Sequence, residues 1–209
     1  MQYAINKIKD NRPNWSIVSS LLIDKFPWYK TGEKQDTHVK LVANDSHLFI
    51  QIVAQDKHSF AKQTQLNHPL ICQDSCVEFF FSPSGVLGSR YINLEVNCCG
   101  TLHIAFGASR TDRLVISPEI VKLLQCQSSL NTRIKTEHED DSEWSIEITI
   151  PFIAIEQLSG EKINKALWYA NFYRCGGRKE PQFGTWHNIT LSEPDFHQPW
   201  HFGQLSFES

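Results

Sequence analysis

The chain has 209 residues and a net charge of −3, with 41% hydrophobic and 21% charged residues. This length and composition are those of a globular protein with a sizeable core, which excludes large-scale disorder. Because Lys and Arg form no block, the charge pattern argues against a nucleic acid or an anionic membrane as partner. Six Trp, thirteen Phe and five Tyr favour a β-rich core and leave aromatic rings for a ligand surface.

The amino terminus lacks the basic start and apolar run of a secretory signal, and no apolar run reaches the length of a membrane span. We therefore expect a cytoplasmic protein, or an extracellular one if the sequence is truncated. The six cysteines follow no disulfide or zinc spacing: Cys98 and Cys99 are adjacent, and the pair Cys72 and Cys76 lacks a second pair. Reduced thiols are predicted.

Period-two alternation of apolar and polar residues dominates the chain and predicts many short strands. In chain order the predicted strands are 3–8, a hairpin over 38–56 turning at 44–47, 76–83, 90–96, 101–107, a hairpin of 131–137 with 143–152, 166–175 and 202–208. Helix is confined to short pieces, one beginning at Ser117-Pro118-Glu119 and one over 152–160 ending at Gly160.

These elements predict an all-β fold over residues 1–209. Many short strands separated by turn signals are typical of a single-domain antiparallel β-sandwich, immunoglobulin-like or jelly-roll-like, here with a few short helices. The segments 57–75, 108–130 and 176–201 would then be long loops. Long loops on a rigid sandwich are where binding usually occurs.

The register of one hairpin follows from its sequence. Strands 90–97 and 101–107 are joined by three residues that end in Gly100, a common hairpin loop. This register pairs apolar residues on one face, whereas a slip by one residue would set Leu and Ile opposite Glu and Asn. The other face then pairs Tyr91 with Gly107, Asn93 with Ala105, Glu95 with His103 and Asn97 with Thr101.

The polar face of this hairpin combines aromatic, amide and carboxylate side chains, and small residues opposite Tyr91 and Asn93 leave room for a ligand. Strand 166–175 repeats the pattern, and a carboxylate lies among phenylalanines in strand 76–83. Such a surface suits a saccharide, whose C–H face stacks on aromatic rings and whose hydroxyls pair with carboxylates, amides and arginine. A plain solvated sheet face is the alternative.

Several motifs resemble carbohydrate-binding module family 9 when they are taken together. In order they are "DSCVEFFFSP", "YINLEVNCCGTLHIAFG", "WSIEITIPF", "WYANFYRCGG" and "PDFHQPWHFGQLSFE". With "FPWY" and "NFYRC", the chain is more similar to the free-standing bacterial branch of this family, from Phe26 to Phe207. The resemblance implies a β-sandwich that binds carbohydrate without catalysis, takes part in glycan degradation and often has a glycoside hydrolase as partner.

The resemblance also implies a binding site, in which family members hold a sugar end between two tryptophans while a glutamate, an arginine and amides contact the hydroxyls. Carried over by motif, the glutamate is Glu78 and the amide is Asn171, with Tyr173 and Arg174 beside it. Trp28, Trp186 and Trp200 are candidates for the tryptophan pair. The predicted ligand-binding residues are Glu78, Tyr91, Asn93, Glu95, His103, Asn171, Tyr173, Arg174, Trp28 and Trp186.

The family also implies structural calcium, but the acidic segment 137–143 is interpreted as a solvated turn, so no cofactor or metal is assigned. An alternative function is a glycoside hydrolase that uses Glu78 and Glu95 as its carboxylate pair. His103 is a ready cross-strand partner for Glu95 and explains that carboxylate without catalysis.

A further alternative is a metal site of loop histidines. His187, His197 and His201 lie close in sequence, with Glu193 and Asp195 near them. Their spacing follows no zinc pattern, and we prefer histidines that hydrogen-bond to the backbone.

Overall fold

The computed structural model describes residues 1–208; Ser209, the last residue of the predicted domain, lies outside the described residues. The strands are β1 Gln2–Lys7, β2 Leu21–Leu22, β3 Thr37–Ala43, β4 His47–Gln55, β5 Cys76–Ser82, β6 Tyr91–Asn97, β7 Leu102–Gly107, β8 Arg113–Val115, β9 Gln125–Ser128, β10 Glu143–Pro151, β11 Leu167–Cys175, β12 Gly184–Thr185 and β13 Gly203–Phe207. The helices are α1 Pro118–Val121 and α2 Phe152–Ser159. Within residues 1–208, no helix has the length and apolar character needed to cross a membrane.

Two sheets make up the fold. The first sheet has the order β8-β7-β6-β5-β11-β13-β1, with β12 on β11. The second sheet has the order β1-β3-β4-β10-β9, with β2 on β3. The predicted all-β sandwich with few short helices is confirmed, but β1 pairs in parallel with both β13 and β3 and joins the two sheets. Alternation predicts a strand and its buried face, not the direction of its neighbours, which is why these parallel pairs were not predicted.

The core lies between the sheets and consists of the apolar set of each alternating strand. Val77, Phe79 and Phe81 of β5 are at most 1% exposed, and Phe79 stacks on Phe172 of β11 with ring centroids 4.5 Å apart. Burial of each large apolar side chain contributes about 1.5–3 kcal/mol. The second sheet supplies Val39, Leu41, Ile50, Ile52, Ile146 and Ile148 to the same core.

Hairpin 131–137 with 143–152 is a wrong prediction. The partner of β10 on this side is β9, in which Cys126 pairs with Ile148, and residues 131–137 make only the isolated bridge of Lys135 to Ala61. The strand β9 is four residues long and mostly polar, so its alternation is too short to distinguish from a loop.

Arg174 lies inside the sandwich, on the opposite face of β11 from the predicted binding surface. Its Nη2 is 2.8 Å from Oδ2 of Asp56, and the guanidinium lies 5.1 Å from the ring centroid of Trp144. Trp144 donates a hydrogen bond from Nε1 to the same carboxylate oxygen at 2.9 Å. This buried ion pair connects the two sheets and corrects the assignment of Arg174 to ligand binding.

Removing one partner of this ion pair should destabilise the protein strongly. We expect Asp56→Ala to lower the free energy of unfolding by about 3–5 kcal/mol, because it leaves the Arg174 charge buried without a counter-ion. The double variant Asp56→Ala with Arg174→Met should recover most of this loss, as judged by urea denaturation. Equal stability of the single and double variants would contradict a charge-based role.

Candidate functional site

The outer face of the first sheet carries the predicted polar side chains in the predicted register. Tyr91 pairs with Gly107, Asn93 with Ala105 and Glu95 with His103, while Glu78 stands opposite Glu95 on one side and Tyr173 on the other. We call this set the polar row: Glu78, Tyr91, Asn93, Glu95, His103, Asn171 and Tyr173. Every member is at most 5% exposed, so the polar row is not an open surface.

One end of the polar row is covered by the chain's own segment 194–202. The hydroxyl of Tyr91 hydrogen-bonds Nδ1 of His197 at 2.7 Å, and its ring packs edge-on against Phe202 at 5.6 Å. Gly107 allows the following loop to fold back closely, since a Cβ there would lie 2.0 Å from the carbonyl oxygen of Asp112. The small residues opposite Tyr91 and Asn93 therefore make room for protein rather than for a ligand, which corrects the prediction for Tyr91.

The other predicted residues of this region position loops. Oδ1 of Asn171 accepts the backbone N–H of His187 at 2.8 Å, and its Nδ2 donates to the carbonyl of the same residue at 2.9 Å. The hydroxyl of Tyr173 donates to the carbonyl of Phe196 at 3.0 Å. Trp186 is buried in the core, 6.1 Å from the ring of Phe172. Asn171, Tyr173 and Trp186 thus hold segment 184–197 in place, which corrects their assignment as ligand contacts.

A cleft of about 380 Å³ remains at the open end of the polar row, within the size range of small-molecule sites. Glu78 and Glu95 are the two members of the polar row that line it, and loops from three parts of the chain form its walls. The other lining residues are Pro69, Cys72, Gln73, Arg110, Arg113, Cys175, Phe183, Pro194, Asp195, Phe196 and His197. We take this cleft as the candidate functional site.

Burial favours the protonated, neutral form of the two carboxyl groups in the cleft. Burial, followed by the nearby charge of Glu95, raises the pKa of Glu78 well above its ordinary value. Burial also raises the pKa of Glu95 to about 7, although Arg113 and a hydrogen bond from Asn93 oppose the shift. Cys175 donates from Sγ to Oε1 of Glu78 at 2.8 Å. The pair can therefore present both a hydrogen-bond donor and acceptors to a ligand.

Two arginines that sequence reasoning missed, Arg110 and Arg113, line the cleft together with these carboxyls. Nη1 of Arg113 lies 3.7 Å from Oε1 of Glu95, and Arg110 pairs with Asp195 at 2.7 Å. Burial, and then the charges of Arg113 and Arg110, lower the pKa of His197 to about 3, which keeps its ring neutral. Arg113 begins β8, which sequence reasoning placed in a long loop.

Three buried polar atoms around Glu95 have no hydrogen-bond partner in the described part of the chain: Oδ1 of Asn93, Nδ1 of His103 and Nη1 of Arg113. Asn93 donates its Nδ2 to Glu95 at 3.0 Å, and His103 is the cross-strand neighbour of Glu95. An unsatisfied buried polar group costs about 1–3 kcal/mol. Their concentration beside the cleft indicates a polar binding region.

An aromatic wall borders the cleft. Phe183 is half-buried with φ of +46°, a backbone region that costs a residue with a side chain about 1–3 kcal/mol and is often found at functional sites. Its ring centroid lies 6.5 Å from that of Phe196. Trp28 packs against Phe196 at 5.8 Å and donates to the carbonyl of Leu191 at 2.9 Å. Trp28 therefore supports the wall but does not line the cleft.

The loop histidines considered as an alternative metal site form no group of three metal ligands within residues 1–208. Nδ1 of His197 forms a hydrogen bond with the hydroxyl of Tyr91, and Nδ1 of His201 lies 3.3 Å from the carbonyl oxygen of Asn188. In residues 1–208, the group of potential metal ligands found close together is Cys76, Glu78 and Cys175.

Two carboxylates of the acidic segment 137–143, those of Asp141 and Glu143, are engaged by donors of the protein itself. Asp141 accepts hydrogen bonds from Nζ of Lys135 at 2.6 Å and from the backbone N–H of His138 at 3.0 Å. Glu143 accepts one from Nε2 of Gln55 at 2.6 Å.

Fold and site together define a β-sandwich protein with a cleft of small-molecule size at one end of a sheet face. The family model for carbohydrate-binding family 9 matches residues 9–207, so the chain belongs to this family. No curated protein matches the chain.

Solved structures show the same fold. A Bacteroides uniformis protein for which carbohydrate binding has been suggested is 27% identical, with 99% of each chain covered and a TM-score of 0.88. A family 9 module of Caldicellulosiruptor kristjanssonii in complex with glucose is 14% identical, with 100% of this chain and 96% of that chain covered and a TM-score of 0.59. The same organism's module with cellotriose is 11% identical, with 100% and 94% covered and a TM-score of 0.59.

The buried carboxyl pair should make stability fall as the pH rises. Because the pKa of Glu95 is about 7 when folded and 4.5 ordinarily, the folded chain binds more protons than the unfolded chain between these values. The contribution present at about pH 4.5 is lost by about pH 8, on the order of 3 kcal/mol for this group. Urea denaturation across this range should show a shallower decline for Glu95→Gln. The exposed Glu147→Gln is the control, and parallel profiles for all three proteins would contradict the assignment.

Proposed function

We propose that this chain is a non-catalytic carbohydrate-binding protein that holds a saccharide, preferably a chain end, in the cleft of Glu78 and Glu95. The observation that carries the proposal is a cleft that combines two carboxyls of raised pKa with an aromatic wall, next to buried polar atoms that have no hydrogen-bond partner in residues 1–208. The family and the complexes of its structural neighbours with glucose and cellotriose support the same ligand class.

The charges of the cleft suit a neutral, hydroxyl-rich ligand. Asp195 already neutralises Arg110 at 2.7 Å, and Arg113 faces Glu95 at 3.7 Å. When Glu95 is ionised, each of these two arginines has a carboxylate partner, so a ligand needs no charge of its own to bind. Hydroxyl groups can donate to Glu95 and accept from Arg113 or from a protonated Glu78.

The aromatic wall suits the less polar face of a sugar ring. Phe183 is half-buried and lines the cleft, so its ring is available for stacking against C–H groups. Residues from loops on three sides close the cleft, among them Gln73, Arg110 and Phe196. This enclosure favours a sugar end over the middle of a long chain. We further propose a role in glycan degradation beside a glycoside hydrolase, which rests on the family resemblance.

Calorimetric titration tests the proposal. In the presence of a chelator, we expect heat of binding with at least one member of a panel that includes glucose and cello-oligosaccharides. Glu78→Ala should weaken binding about 10-fold, because it removes a hydrogen-bonding group whose net contribution reaches about 1.5 kcal/mol. Phe183→Ala should weaken it by a similar factor, because it removes a large apolar contact.

Two substitutions outside the cleft are matched controls. Glu147→Gln changes an exposed glutamate of β10, and Trp200→Ala removes an aromatic ring that is 70% exposed. Neither should change the affinity. If the folded protein gives no heat of binding with any glycan, the proposal of carbohydrate binding is wrong. If Trp200→Ala loses affinity, the sugar stacks on Trp200 and not on the aromatic wall of the cleft.

A glycoside hydrolase is the second candidate, because Glu78 and Glu95 are cross-strand neighbours in one cleft. Hydrolysis requires two carboxyls in different protonation states on either side of the scissile bond. Against this, Asn93 and Arg113 already engage Glu95.

A panel of aryl glycosides distinguishes the two candidate functions. We expect no turnover above the rate of the Glu78→Gln variant. Turnover by the wild-type protein that Glu78→Gln and Glu95→Gln both abolish, while Glu147→Gln retains it, would make the protein a hydrolase.

A further inference from the structure

Two cysteines and a glutamate come together at the floor of the cleft. Antiparallel pairing sets Cys175 of β11 directly opposite Cys76 of β5, and Glu78 lies two residues along the same strand as Cys76, hence on the same face. One donor atom from each of the three residues lies within 4.8 Å of the other two. The fold thus gives Cys76 a second cysteine, Cys175, that is distant in sequence.

We propose that Cys76, Glu78 and Cys175 bind a divalent transition-metal ion, with Zn²⁺ as the best match. Two thiolates and a carboxylate are ligands that zinc accepts, and thiolates discriminate against calcium and magnesium. Three protein ligands leave the fourth tetrahedral position open for water or another small molecule, whereas structural zinc sites have four protein ligands.

The surroundings of the three ligands are consistent with metal entry and retention. Cys175 and Glu78 line the cleft, which provides a path for the ion, while Cys76 is fully buried behind them. Sγ of Cys175 already lies 2.8 Å from Oε1 of Glu78. Cys72 also lines the cleft and is half-buried, so its thiol is a further soft donor in the cleft wall.

Binding requires both thiols to lose their protons. The hydrogen bond with Cys76, followed by burial, raises the pKa of Cys175 well above its ordinary value, and burial raises the pKa of Cys76 to about 11. A dication beside them reverses this preference for the neutral form. Each thiol then forms a metal–sulfur bond and releases its proton to solvent, and a protonated Glu78 releases its proton as its carboxylate binds the metal, so metal uptake is accompanied by proton release.

Cobalt titration tests the proposal directly. Reduced, metal-free protein should bind one Co²⁺ per chain, with thiolate-to-cobalt charge-transfer absorption and visible ligand-field bands that Zn²⁺ abolishes. Proton release measured with an indicator dye should accompany binding, and Zn²⁺ should raise the melting temperature. Cys76→Ser and Cys175→Ser should both lose the charge-transfer band. Glu78→Gln should alter the ligand-field bands, and this variant keeps the test available if a serine variant does not fold.

Cys126→Ser is the matched control, since Cys126 is a half-buried thiol of β9 in the second sheet, and it should bind cobalt like the wild type. Three results would overturn the proposal: no cobalt absorption from folded protein with titratable thiols, absorption that survives in both serine variants, or a Cys76–Cys175 disulfide in protein prepared under reducing conditions. None of these measurements uses a sugar, so the metal site and carbohydrate binding can fail separately.

Discussion

The register of β5 against its two neighbours is the constraint on which the cleft depends. It places Glu78 between Glu95 of β6 and Tyr173 of β11. A slip by one residue in either pairing would turn Phe79 outward and bring Glu78 into the core. Because Phe79 packs on both Phe81 and Phe172, such a slip would disrupt the aromatic core. Hydrophobic packing between the sheets therefore determines where the carboxyl of Glu78 lies.

The cost of burying two acids side by side is reduced by neighbours that are themselves fixed by the fold. Asn93 donates to Glu95, and Cys175 donates to Glu78. Arg113 approaches Glu95 only because the loop before it folds back on Gly107, where a Cβ would contact Asp112. These contacts offset the cost only in part, since polar atoms remain unpartnered beside Glu95. Stability given up in this way is characteristic of sites selected for binding.

Alternation in the sequence predicted most strands and the register of the β6–β7 hairpin, because only one register keeps Leu94 and Ile104 together. It could not predict which alternating set faces a ligand. Arg174 follows the polar residues of β11 in sequence but belongs to the inner set, and its partner Asp56 is distant along the chain. Phe183 lies in a long loop without periodicity, and the cover over Tyr91 comes from another loop, so neither left a local signal in the sequence.

The cleft and the thiol pair meet at Glu78, and this shared residue links the two proposed properties. A cation held by Cys76 and Cys175 would favour the ionised form of Glu78, in contrast to the near-neutral form that burial imposes. An ionised Glu78 accepts hydrogen bonds only, whereas a protonated one can also donate. Occupancy of the metal site would therefore change which hydroxyl pattern the cleft recognises. Because Glu95 would then face a neighbour of altered charge, its own affinity for protons would change as well.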